Sequence, residues 1–237
     1  PSASAWSTTN LGSYGTEANY VGGTVYQSAG GTRKAILGND ISANNTKKAD
    51  LSAVMADAGA GAPDGYVMCT FMGRLFTASG RTLSYSAVDD ENTLGGTIGF
   101  NDIIMALIPE GKRLIVITRT YSQAVQWNYD DSFVLSVPLK EPFEREYGTV
   151  SHKAVTRLNG NVRYWGDDLR VYNLGTESGL DENGVVRPIP LSAKIDPSLA
   201  FANLNYARKA TAVQYRGQQQ WWLAVPYNTS QYNSLVF

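Results

Sequence analysis

The sequence has little with which to do chemistry. It carries one cysteine and one histidine in 237 residues. A single thiol, Cys69, rules out an intrachain disulfide, and with His152 as the sole imidazole a zinc site is effectively excluded, because three or four such ligands are usual. Cys69 sits in the apolar run 66–72 and reads as a small buried core residue rather than a reactive thiol. Charge is also scarce. Asp, Glu, Lys and Arg make up 17% of the chain, below the usual quarter, which disfavours a fold of charged surface helices. The formal net charge of −1 leaves no global basic field to draw in a phosphate backbone or an anionic membrane. No run approaches the roughly 20 apolar residues of a membrane span. Residues 1–10 lack the basic and apolar regions of a signal peptide, and no P-loop or helix-opening GxGxxG occurs.

Glycine and aromatics are present in abundance. The 23 glycines and 11% Phe, Trp and Tyr point to many short strands joined by tight turns, hence an all-β chain. The clearest local signal is residues 148–172. There Asn159-Gly160 has the positive-φ propensity of a two-residue hairpin turn between strands at 153–158 and 161–165, and Gly166-Asp167-Asp168 turns into a third strand at 169–172. Further strands are expected at 17–27, 32–37, 66–71, 74–78, 81–86, 103–108, 113–118, 121–127 and 132–137. Beyond the central stretch they are expected at 209–215, 218–225 and 231–237, with 185–191 held to a sheet edge by Pro188 and Pro190. Residues 1–16 read as a linker or entering loop and 89–99 as an acidic, glycine-rich loop. Residues 195–206 are either a short helix with Pro197 in its first turn or irregular. Residues 47–58, KKADLSAVMADA, place Leu51, Val54 and Met55 on one helical face and predict one short surface helix.

Four segments recur in the same form: 73–86, 112–127, 161–173 and 219–237. Each is an apolar strand after a turn, a polar break, and a strand rich in aliphatic or aromatic residues. Their starts are spaced by roughly 39, 49 and 58 residues, near the period of four-stranded propeller blades. The predicted fold is an irregular β-propeller-like array of antiparallel three- to four-stranded sheets, three to five blades in all, with one short helix. A pair of β-sandwiches is the alternative. An entering linker, hairpin and short helix would occupy 1–60 and the propeller-like region 61–237. The chain starts at Pro1 without a methionine and stops at Phe237 inside a strand-like segment, so it reads as a fragment of a longer polypeptide.

Candidate chemistry is thin. His152, between Ser151 and Lys153, reads as a solvent-facing or core-satisfied side chain rather than a triad member. The acidic pairs and triplets Asp89-Asp90-Glu91, Asp130-Asp131, Asp167-Asp168 and Asp181-Glu182 all fall in turns, where carboxylates serve conformation; a calcium or glycosidase site is the sharper reading. Arg74, Arg81, Lys112, Arg113 and Arg119 either line a channel or are scattered solvent charges. Trp221, Trp222, Tyr227 and Tyr232 form a possible interaction surface, a platform for sugar stacking or for a protein partner. Adjacent tryptophans on a strand face opposite sides, so one is expected to fill the core and the other to meet a neighbouring blade or subunit.

Within 60–237, the run from Gly73-Arg74-Leu75-Phe76 through Tyr85-Ser86, the strand pair ending at Trp127, Gly148 with Ser151, and Gly166-Asp167 follow one another in order. In this the chain resembles tailed-bacteriophage virion proteins of the tail or tail-hub and nozzle type, which carry β-propeller regions. The resemblance implies a non-catalytic structural protein of the virion tail, made in the host cytoplasm, with no cofactor and no metal. Its partners would be other copies in a ring and neighbouring virion proteins, with possible DNA passage through a channel without sequence-specific binding, and no membrane. A secreted glycan-binding or glycan-cleaving propeller is the alternative function.

Overall fold

The fold comes from a computed structural model, which describes residues 21–39, 47–50, 56–57, 61–110, 113–127, 133–135, 148–158, 160–174, 179–180, 186–187, 189–229 and 233–236. The expected linker at 1–16 lies outside these residues, as do Lys112, Asp130, Asp131, Asp181, Glu182 and Tyr232.

Short strands form mostly where apolar residues alternate between turns, and all but one of the described pairings, that of the last strand in the fourth sheet, join neighbours in sequence. Strands β1 (Val21–Gln27), β2 (Arg33–Asn39), β3 (Lys47–Asp50) and β4 (Ala56–Asp57) make a first antiparallel sheet in that order. A second sheet contains β5 (Val67–Phe71), β6 (Arg74–Ser79), β7 (Thr82–Ala87) and β8 (Asp90–Gly99), again in chain order. The third is built from β9 (Ile104–Glu110), β10 (Arg113–Thr118), β11 (Ser122–Trp127) and β12 (Phe133–Leu135). In the fourth, β13 (Val155–Leu158), β14 (Asn161–Trp165) and β15 (Val171–Leu174) are followed by β18 (Ile189–Pro190), after the small hairpin β16 (Gly179–Leu180) and β17 (Val186–Arg187). The fifth sheet is β19 (Thr211–Tyr215), β20 (Gln220–Pro226) and β21 (Asn233–Val236). The chain is therefore all-β, a propeller-like succession of small up-and-down meanders. The four recurring segments fall on β6–β7, β10–β11, β14–β15 and β20–β21, the second and third strands of four successive sheets.

Two compact units divide the chain, Pro1–Gly99 and Phe100–Phe237. In the first, one face of sheet one packs on sheet two. Tyr26 and Ile36 are fully buried there against Leu75, with Met68 beside them. The sheets approach closely because Gly22 and Gly38 lack side chains: a Cβ at Gly22 would collide with the Tyr66 carbonyl and one at Gly38 with that of Gly65. Tyr26 donates its hydroxyl to the Gly73 carbonyl at 3.1 Å, and Thr70 donates to the Val25 carbonyl at 2.8 Å.

In the second unit, sheet four is covered on both faces, as its alternation requires. Val162, Tyr164, Tyr172 and Leu174 meet Ala106, Ile108, Ile115 and Ile117 of sheet three. On the other side Trp165 and Val171 join Leu199, Ala207, Leu223 and Val225 of the last sheet and the helical turns before it. Tyr164 and Tyr172 stack at 5.6 Å across adjacent strands. The segment 148–151 ties these layers together. Thr149 donates its amide to the Thr118 carbonyl and its hydroxyl to that of Trp165, and the Ser151 hydroxyl contacts the carbonyls of Arg208 and Ala210 at 2.9 and 2.7 Å. Gly148 lies on the Arg119 backbone, where any Cβ would collide.

Three expectations are corrected. The helix predicted for 47–58 does not form where it is described: β3 and β4 occupy 47–50 and 56–57, because pairing of Lys47–Asp50 with Leu37–Lys34 outcompetes a weak helical pattern. The loop predicted for 89–99 is β8, its glycines accommodated on a strand paired to β7. The strand predicted from residue 153 begins instead with a single 3-10 turn, His152–Ala154, capped by the Ser151 hydroxyl. Of the two readings of 195–206, a four-residue helix forms, α1 (Asp196–Leu199), with Pro197 in its first turn; a 3-10 segment follows at Leu204–Lys209.

Candidate functional site

The candidate site grows from the alternation of the last hairpin. In β19 the side chains of Thr211, Val213 and Tyr215 point outward and are exposed, while those of Ala212 and Gln214 are half-buried. Register places Val213 opposite Trp222 and Tyr215 opposite Gln220. The outer face thus carries a contiguous row: Val213 is 57% exposed, Tyr215 49% and Trp222 47%. The Tyr215 and Trp222 rings lie 6.1 Å apart and tilted by 52°. The Trp222 indole N–H donates to Gln220 Oε1 at 2.9 Å, which fixes the ring and leaves the Gln220 amide NH2 on the rim.

Trp221 faces the other way. It packs against the core of Trp165, Val171, Leu223 and Val225, and its indole nitrogen is buried without a hydrogen-bond partner among the described residues. The two tryptophans therefore divide between core and surface. Tyr227 is set apart from the row. It sits past the end of β20, bridged to Ala202 and in ring contact with Phe201 at 6.1 Å, so two of the four aromatic residues singled out in sequence, Trp222 and Tyr227, occupy different places on this sheet. Val213 and Tyr215 were not singled out in sequence. Their signal was the i, i+2 spacing in TAVQY, legible once the strand's exposed face is known.

The remaining candidate residues serve structure. The Ser151 hydroxyl is engaged by the Arg208 and Ala210 carbonyls, which removes it as a nucleophile for His152. Cys69 is buried in β5, and burial pushes its thiol pKa far up, so it stays protonated. Asp168 accepts from the Arg170 amide and from the Tyr172 hydroxyl, shaping its turn. Arg74 is turned into sheet two, donating to the Ser86 carbonyl at 3.0 Å with its guanidinium over the Tyr85 ring, and Arg113 pairs with Glu110 at 3.1 Å.

Glu91 is the one buried carboxylate among the described residues. From β8 it reaches under sheet one, where Lys34 Nζ lies at 2.5 Å and Lys48 Nζ at 3.8 Å, with 2% of its side chain exposed. Burial works to raise its pKa, but the Lys34 hydrogen bond and charge, a backbone amide and Lys48 outweigh it, holding the carboxyl below its ordinary value. Tyr26 nearby is pushed up to about 12 by burial and by the charge of Glu91.

No protein-family model matches the chain, and no curated protein sequence matches it. Among solved structures it is similar to the N-terminal domain of Nup159, with 9% identity and a TM-score of 0.48. The match covers 90% of this chain and 55% of that one, so the chain spans about half the length of the structure it matches.

Proposed function

We propose that the chain is a non-catalytic structural protein that acts through subunit-subunit contacts, a component of a tailed-bacteriophage tail hub or nozzle. The observation that carries this reading is the row Val213, Tyr215 and Trp222, apolar and exposed on the outer face of the last sheet. A rigid aromatic row of this kind is what an assembling subunit presents, because Trp and Tyr supply large contact area at low entropic cost. The order of motifs within 60–237 supplies the virion assignment. On this reading the lone histidine, the lone cysteine and the turn aspartates are structural, and the neighbours are further copies in a ring and other tail proteins.

Electron microscopy of the purified protein and of the particle it comes from tests the reading. Rings or tail-like assemblies are expected, and Trp222→Ser with Tyr215→Ser should lower their yield while the fold persists. Isolated monomers, together with a particle whose tail lacks the chain, would overturn it.

The tilted Tyr215–Trp222 pair with the Gln220 amide at its rim favours one second reading, a glycan platform, since such rings stack on the apolar face of a sugar. A glycan array that stays blank with the native chain removes that alternative.

A further inference from the structure

The outer edge of β8 lacks most of the guards that edge strands carry. β8 ends its sheet, bonded to β7 on one side, and no described strand pairs with its other side. At ten residues it is longer than the six-residue β7. Natural sheets blunt such edges with charge, proline, a covering element or bulges. From Asn92 to Asn101 the sequence has no charged residue and no proline. The register irregularities lie opposite the first part of β8, at Tyr85/Ser86 and Ser86/Ala87, so the edge is bent there; from Gly96 to Gly99 the pairing with Tyr85 to Thr82 is regular. Around this stretch Thr93, Leu94, Gly95, Thr97 and Gly99 are exposed, Leu94 by 48%.

We propose that this edge pairs with the same edge of a second copy, antiparallel about a twofold axis centred on Thr97, joining the two four-stranded sheets into one. The sequence is self-complementary in that register. Thr97 meets its own counterpart, a pairing in which threonines hydrogen-bond across strands. Ile98 falls opposite Gly96 of the other copy, over which the Tyr85 ring lies in place of a side chain and against which Ile98 packs, and Gly95 falls opposite Gly99. The contact is isologous, so it closes on itself and yields a dimer. Five residues of edge make a small interface, and the association is correspondingly weak. The inference stands apart from the tail reading, since it uses a different strand from the Trp222 row.

Sedimentation of the full chain should show a monomer–dimer equilibrium at concentrations on the order of 100 μM. Thr97→Lys, which sets two ammonium groups face to face, should abolish the dimer with an unchanged circular dichroism spectrum, and Trp222→Ser should leave it in place. Thr97→Cys should give a covalent dimer on mild oxidation, its Cβ atoms about 5 Å apart across the axis, whereas Val88→Cys, on the exposed β7–β8 turn, should not. If Thr97→Lys fails to fold, the cysteine pair decides. A native chain that stays monomeric, a dimer that survives Thr97→Lys, or equal cross-linking at positions 97 and 88 would overturn the proposal.

Discussion

Glu91 shows how much a single side chain can decide. Its carboxylate is held between two ammonium groups from the facing sheet, with Asn92 beside it accepting from Lys48 Nζ. Such a pair adds little net stability over an apolar contact, but removing the carboxylate leaves two partly buried ammonium groups uncompensated. Glu91→Gln is therefore expected to cost about 1–2 kcal/mol at neutral pH, read from urea denaturation, since both lysines keep some access to water. The folded-state pKa of Glu91 is depressed, so its contribution is complete above the unfolded carboxylate value of about 4.3 and is lost as pH falls through the lower folded value. The native chain should lose stability on acidification in that window and Glu91→Gln should lose less; equal slopes would refute the assignment. Cys69 and Ser151 follow the same logic in reverse, being reactive residue types whose surroundings leave them inert.

At the scale of the element, the last hairpin separates two roles along one strand. Trp221 and Trp222 are adjacent in sequence, yet the period of two sends one into the core and the other to the surface. Trp221→Ala should destabilise the chain by about 2–3 kcal/mol in urea denaturation, through lost packing on Leu223 and Trp165. Trp222→Ala should stay within about 0.5 kcal/mol of the native chain. Equal losses would mean the outer ring is also part of the fold. This division was readable from the sequence, as were most strand boundaries: β10 and β14 lie where alternation put them. β3 and β8 were misread because local pattern and partner disagreed. The segment 47–58 has helical spacing and the glycines of 95–99 look like a loop, yet β2 pairs with Lys47–Asp50 and β7 with the glycines of β8.

At the scale of the whole molecule, the chain is a succession of meanders in which each sheet mostly pairs residues close in sequence. The unit Phe100–Phe237 has its own core, with sheet four packed on both faces. A chain of residues 100–237 is thus expected to unfold in one cooperative urea transition, with tryptophan fluorescence and near-ultraviolet dichroism superimposing. Separate transitions by the two probes would show that this core needs the first unit.

The sequence by itself determined the all-β class, the recurrence of strand pairs at 73, 112, 161 and 219, and the poverty of catalytic groups, because turn chemistry, period and composition are local properties. Tertiary structure alone decided the rest. That Lys34 and Lys48 meet Glu91, that Gly148 must lie bare against Arg119, and that Val213 and Tyr215 join Trp222 in one exposed row all depend on residues far apart in the chain. No local pattern encodes a partner, which is supplied only when sheets pack and strands find their register.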